Sequence, residues 1–314
     1  MKKIYEFLLW NNCGNNCTFC HQRNHERRIN DKILTPQEQI ESLQLCGEFL
    51  KTRFEKGNHI LLCGGEIFGL KTEEVNTELS KLLDQILDHM QKDEIELLYL
   101  NTNLLYENTT VLFDFLSKVQ EKELFGRLKF TTSYDIVGRF NDITEKLFYK
   151  NLKKITDTFE DIRIVVNTVL TKGACDVIVS DVFGANYLVQ YCKDQNKKEF
   201  NIKNWMDYFR VDINAIPYII LNYENAPEAP TREEVFQTLL HIDKIIPGYL
   251  QRYSENIALK QEKLLYEYNK TTKDFDFCSS KMSECGHSVN FKQSFKNCNK
   301  CFPCEIQKLL KYTM

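Results

Sequence analysis

KIYEFLLWNNCGNNCTFCHQ (residues 3–22) is the stretch on which the reading of this chain turns. Residues 3–10 form a short, largely apolar run interrupted by Glu6, which predicts a β-strand. Immediately after it come Cys13, Cys17 and Cys20, spaced C-x3-C-x2-C. Thiols clustered directly beyond the end of a first strand set two questions: what sheet the strand belongs to, and what the thiols hold.

Working outward, strand and helix signals alternate. Thr35, Pro36 and Glu38 form a capping box with proline at the first helical turn, which opens a helix over 35–54. An apolar run at 59–66 ends in Gly64-Gly65-Glu66 and reads as a buried strand closed by a tight loop. Leu79, Leu82, Leu83, Ile86 and Leu87 share one face of a helix over 73–92. Strands at 95–103, 127–135, 162–171 and 208–218 alternate with helices at 109–122, 143–159 and within 174–195. Six βα units imply a parallel sheet with right-handed crossovers. They are too few for a closed eight-stranded barrel, so the expected fold is α/β, a partial (βα)6 barrel over residues 1–220. Residues 221–314 are expected to form a helical extension and a small Cys-rich metal-binding segment. Prolines and acidic residues at 222–234 mark the boundary, and Thr231 with Glu234 forms a second capping box. The helix it opens, over 232–253, is expected to break near Pro247-Gly248.

In such folds chemistry collects beyond the carboxyl ends of the strands. The polar motifs fall there. Cys13 to Cys20 follow the first strand and Gly64-Gly65-Glu66 end the second. Asn101-Thr102-Asn103 end the third, Ser133-Tyr134-Asp135 the fourth, and Asn167 lies within the fifth.

Composition narrows the class. The 314 residues are 43% hydrophobic and 27% charged, an ordinary globular balance, and a formal charge of -3 gives no electrostatic reason for a dedicated nucleic-acid binder. The first residues resemble a signal peptide superficially, but the run is short, contains Glu6 and lacks a small-residue cleavage site. No apolar run reaches the roughly 18 residues that span a bilayer. The expectation is a cytoplasmic protein with no membrane association.

Twelve cysteines in a reducing compartment call for metal or redox sites where they cluster, and for small core residues where they stand alone, as Cys46, Cys63, Cys175 and Cys192 do. Three clustered thiols suit a disulfide poorly. With His21 they could make a Cys3His zinc site, although adjacent ligands rarely reach one metal. They could also hold a [4Fe–4S] cluster by three of its irons, leaving the fourth open to a cofactor.

C-x3-C-x2-C with Phe19 before the last cysteine, in the loop after the first strand of a (βα)6 pattern, resembles the radical S-adenosylmethionine (radical SAM) superfamily. Gly64-Gly65-Glu66 looks like its GGE motif after the second strand, and the resemblance covers roughly residues 1–220. It departs where Ile67 stands for a frequent proline and where Asn101-Thr102-Asn103 stands for Thr-Asn-Gly. The resemblance implies a [4Fe–4S] cluster on Cys13, Cys17 and Cys20, S-adenosylmethionine chelated to its open iron, and an electron donor such as flavodoxin or ferredoxin as partner. It implies cofactor contacts at Gly64, Gly65, Glu66, Asn103, Ser133, Asp135 and Asn167, the glycines admitting close backbone approach. Arg139 is a candidate for the cofactor carboxylate, since a guanidinium forks onto that group. The basic run HQRNHERR (21–28) could meet an anionic substrate or the electron donor, or be a solvated loop.

Near the C-terminus Cys278, Cys285, His287, Cys298, Cys301 and Cys304 follow the spacing C-x6-C-x-H-x10-C-x2-C-x2-C. Four of these six suffice for one second metal centre, either an auxiliary [4Fe–4S] cluster or zinc. The expected activity is that of a radical SAM enzyme, of oxidoreductase type, acting by hydrogen abstraction. Its leading substrate class is a peptide or protein side chain, with a nucleotide, nucleoside or nucleic-acid base as the alternative. A non-catalytic SAM- and metal-binding protein acting through partners is the reading from another class.

Overall fold

A computed structural model gives the fold and describes residues 2–15, 17, 33–69, 72–135, 139–217, 229–252 and 262–282. The six expected βα units form in order: β1 (Lys3–Leu8), α1 (Pro36–Thr52), β2 (Asn58–Cys63), α2 (Glu73–Gln91), β3 (Ile95–Asn101), α3 (Thr110–Glu121), β4 (Leu128–Ser133), α4 (Asp142–Thr158), β5 (Ile164–Leu170), α5 (Lys172–Val179), α6 (Ala185–Asp194), α7 (Ile202–Phe209) and β6 (Val211–Pro217). Then follow α8 (Arg232–Ile245), β7 (Glu262–Asn269) and β8 (Asp274–Met282). Both capping boxes form: the Thr35 and Thr231 hydroxyls accept from the backbone N–H of Glu38 and Glu234, whose carboxylates accept from the capping residues in return.

The strands make one eight-stranded sheet in the order β6-β5-β4-β3-β2-β1-β7-β8, parallel except for β8, which runs antiparallel to β7. Among the described residues the sheet does not close on itself. From β1 to β6 each strand is added on the same side of the last, so crossovers of one hand carry the helices to one face. That face carries the core. Tyr5, Phe7 and Leu9 continue into Ile60 and Leu62, Leu98 and Leu100, Phe130, Ile164 and Val166, then Ile213 and Ala215, all packed with helix residues.

The opposite face is different. In the register Tyr99↔Lys129, Asn101↔Thr131, Ser133↔Asn167 and Asn167↔Asn214, its central strands present polar side chains that are half-buried or exposed. Parallel sheets are normally apolar on both faces. A polar second face on a progressively wound sheet leaves room for something other than a helix layer.

Two parts of the chain depart from the periodicity reading. The expected single helix within 174–195 is two, α5 and α6, and the additional α7 places Ile202, Trp205 and Phe209 in the core. Beyond 258 the sequence predicts no strand. The described part of this region adds β7 alongside β1 and then β8, with Phe275 packing edge-on to Phe7 at 5.3 Å.

An aromatic cluster supports the carboxyl end of β4. Tyr134 lies 5.3 Å from Trp205 and 5.5 Å from Phe183 between ring centroids, and its hydroxyl donates to Glu145 Oε1 at 2.8 Å. Trp205 Nε1–H donates to the Tyr149 hydroxyl at 3.0 Å. Trp205→Ala removes a fully buried ring and one hydrogen bond, and is expected to cost about 3–5 kcal/mol. Denaturant unfolding measures it, and a loss below about 1 kcal/mol would contradict the packing described.

Candidate functional site

The cysteine loop is held by backbone. Beyond the paired strands the β1–β2 ladder continues: Leu9 N–H donates to the Cys63 carbonyl at 3.1 Å, Gly65 N–H to the Trp10 carbonyl at 2.8 Å, and Glu66 N–H to the Asn12 carbonyl at 2.8 Å. Cys13 follows directly. This approach leaves no space for side chains on the glycines. A Cβ on Gly65 would overlap the Asn12 carbonyl, and one on Gly64, whose φ is +153°, would press on the Trp10 carbonyl. Among the described residues, the backbone that the two glycines approach is the stretch Trp10–Asn12 that leads into the cysteine loop.

Asn12 secures the far side of that loop. Its Nδ2 donates to the Leu34 carbonyl at 2.8 Å and its Oδ1 accepts the Leu34 N–H at 2.7 Å.

Glu66 is a buried carboxylate that ties β2 to the loop after β3. Oε1 accepts from Phe68 N–H and from the Thr102 hydroxyl, each at 2.9 Å, and Oε2 accepts from Asn103 N–H at 2.6 Å. The Thr102 hydroxyl in turn meets the Tyr106 hydroxyl at 3.0 Å. Burial pushes the Glu66 carboxyl pKa up, against the pull of the Asn103, Phe68 and Thr102 donors. Its side chain therefore organises protein backbone.

Asp135 and Arg139 form a second buried node. Asp135 Oδ1 accepts Val169 N–H at 2.6 Å, and Oδ2 accepts Arg139 Nε–H at 2.5 Å. The two side chains are 1% and 13% exposed, so Arg139 is an interior cation, not a surface one. Burial raises the Asp135 pKa, opposed by the Arg139 charge. Burial alone would lower the Arg139 pKa, but Asp135, Cys17 and Cys13 together raise it. The guanidinium thus lies within electrostatic reach of both described thiols, and a neutral Asp135 would leave it buried without its carboxylate, which favours the ionised pair.

Each described thiol also receives an amide donor. Asn15 Nδ2 donates to Cys17 Sγ at 3.3 Å, and Asn103 Nδ2 to Cys13 Sγ at 3.6 Å. Two half-buried thiols thus meet two N–H donors with one cation in reach, partners that also suit a metal-bound sulfur. No protein-family model matches the chain, and no curated protein does. The donor set fits a metal-ligating loop. Cys20 and His21 lie outside the described residues, and among the described residues no three His, Cys, Asp or Glu side chains converge as a metal site.

Ser133 and Asn167 pair in register across β4 and β5 on the polar face. Asn167 Oδ1 accepts Asn214 Nδ2–H at 2.9 Å, and its carbonyl accepts Tyr134 N–H at 2.9 Å. Asn15 and Asn103 donate to the thiols, and Arg139 acts on them electrostatically. On the same polar face Cys63 Sγ lies 3.6 Å from Glu6 Oε1. The second cysteine group begins in β8, whose register with β7 skips Cys278 between the pairs Leu265↔Ser279 and Tyr266↔Phe277. Cys285, His287, Cys298, Cys301 and Cys304 lie outside the described residues, as does the basic run 21–28. No helix among the described residues is long and apolar enough to cross a membrane.

Asn12, Asn15 and Asn214 were not singled out by sequence. The signal for the first two was present in the repeated asparagines around Cys13 and Cys17, because short amides bond nearby backbone and thiols.

Gly65→Ala tests the close approach. The added methyl has only backbone to displace, so an overpacking loss of about 1–3 kcal/mol is expected in thermal or denaturant unfolding. Full parental stability would show that the two loops do not meet as described.

Proposed function

We propose that this chain is a radical SAM enzyme that abstracts hydrogen from a substrate, by resemblance a peptide or protein side chain. One observation carries the reading. Cys13 and Cys17 stand at the carboxyl end of β1, on backbone hydrogen-bonded to Gly64–Glu66, each thiol with an amide donor and both near the Arg139 charge. With Cys20 they would hold a [4Fe–4S] cluster. Loaded with S-adenosylmethionine, such a cluster would supply one electron to split the sulfonium C–S bond into methionine and a 5'-deoxyadenosyl group able to take a hydrogen atom from substrate.

The chain's own residues bind and orient. Gly64 and Gly65 fix the loop that carries the first thiol. Glu66 sets the height of Asn103 against Cys13. Asp135 anchors Arg139 through Nε, so that its cation can meet the cofactor carboxylate. The polar face of β3–β6, with Asn101, Lys129, Asp212 and Asn214, offers the substrate hydrogen-bonding groups beside the loop. The electron comes from a flavodoxin- or ferredoxin-type donor.

Protein purified or reconstituted anaerobically should be brown, with a band near about 400 nm. With a low-potential reductant it should convert S-adenosylmethionine to 5'-deoxyadenosine. Changing Cys13, Cys17 and Cys20 together to alanine should abolish that turnover while leaving any C-terminal metal in place. Turnover retained in the triple variant would refute the assignment. Cofactor binding to the iron-loaded parent without any 5'-deoxyadenosine would favour the non-catalytic reading.

Arg139→Leu should weaken S-adenosylmethionine binding to the reconstituted protein by about tenfold to a hundredfold, the scale of one hydrogen bond to a charged group. Calorimetry at constant iron content checks it, and undiminished affinity would remove Arg139 from the cofactor site.

A further inference from the structure

We propose that Asn103 is a hydrogen-bond donor to the Cys13 thiolate and thereby raises the reduction potential of the cluster that Cys13 helps to hold. The proposal rests on the reading of Cys13, Cys17 and Cys20 as cluster ligands. It gives Asn103 a role different from the cofactor contact that the family resemblance implies.

The geometry fixes which end of the amide faces sulfur. Asn103 Oδ1 accepts the Leu105 N–H at 2.8 Å. Turning the amide over would set its NH2 group against that N–H, two donors facing each other. The network therefore directs Nδ2 toward Cys13 Sγ, 3.6 Å away. The residue cannot drift, because its own N–H is bound at 2.6 Å by Glu66 Oε2, and Glu66 is 5% exposed and holds two further donors. Glu66 thus acts on the thiol at one remove: it sets the backbone from which Asn103 reaches.

Asn15 donates to Cys17 from two residues away in the same loop, so it moves with its sulfur. Asn103 is different. It reaches across from the loop just after β3, 90 positions along the chain, and its backbone is pinned by the buried Glu66 carboxylate. A donor whose backbone is fixed by a separate part of the fold tunes a thiolate more reproducibly than one that moves with the sulfur. N–H···S bonds stabilise the more negative, reduced state of a cluster, and so shift its potential upward. Asn103 is a positioning residue in this sense, with its effect on electron acceptance.

The test is an EPR-monitored potentiometric titration of the reconstituted full-length protein. The signal of the N-terminal cluster is identified by its loss in the Cys13, Cys17 and Cys20 triple alanine variant. In Asn103→Leu the ratio of reduced to oxidised cluster at a fixed potential should fall about tenfold, equivalent to about 59 mV for a one-electron couple. Asn103→Asp keeps the shape and the Leu105 contact but replaces the donor with an oxygen, and should lower the ratio at least as far. An unchanged ratio in either iron-loaded variant overturns the proposal. If Asn103→Leu loses iron while Asn103→Asp keeps it at the parental ratio, Asn103 acts through shape alone, which also overturns it. Loss of iron from both, with parental circular dichroism and Tm, supports a donor required for assembly. A parent protein with no N-terminal iron–sulfur signal would instead refute the reading of the cysteines, independently of Asn103.

Discussion

The backbone contact between Gly64–Glu66 and Trp10–Asn12 is the constraint on which the site depends. Parallel strands ordinarily diverge into separate loops at their carboxyl ends. Here the ladder runs on past both strands, and the cysteine loop begins as an extension of the sheet. The condition is steric: any side chain at Gly65 would occupy the Asn12 carbonyl's place. The result is a cysteine loop whose first residue is placed by the edge of the sheet.

From that contact order spreads outward through buried charge. The Glu66 carboxylate collects N–H and O–H donors from three separate points, Phe68, Thr102 and Asn103. Asp135 does the same on β4 and β5, gathering Val169 N–H and Arg139. Each carboxylate is expensive to bury, and each is compensated by donors that would otherwise lack partners at strand ends. The carboxyl edge of the sheet is thereby tied across β2, β3, β4 and β5, and the two nodes converge on the thiols through Asn103 and Arg139.

Much of this was legible in the sequence. The capping residues Thr35, Glu38, Thr231 and Glu234 and the 3.6-residue stripe of α2 gave helices where physical rules place them. The alternation gave the parallel sheet through β6. Three things were not legible. The β7–β8 hairpin was overlooked because its alternation is interrupted at Cys278, where the register slips. The approach of Gly64 and Gly65 to Trp10 and Asn12 was not legible, because a glycine pattern shows that something approaches the backbone and not what approaches it. The roles of Asn15, Asn103 and Asp135 arise from contacts between strand ends that are distant in sequence or from loop geometry, which periodicity does not encode.

The reciprocal pair between Asn12 and Leu34 has a consequence for how this chain can vary. It joins two points 22 positions apart, so the intervening segment is a closed loop whose ends are fixed independently of its contents. The entropy of closing such a loop grows only logarithmically, by about 0.6 kcal/mol for each doubling of length. Added length between those two points therefore brings little extra closure cost. The Asn12–Leu34 pair thus sets where that segment leaves and rejoins the sheet edge, whatever its length.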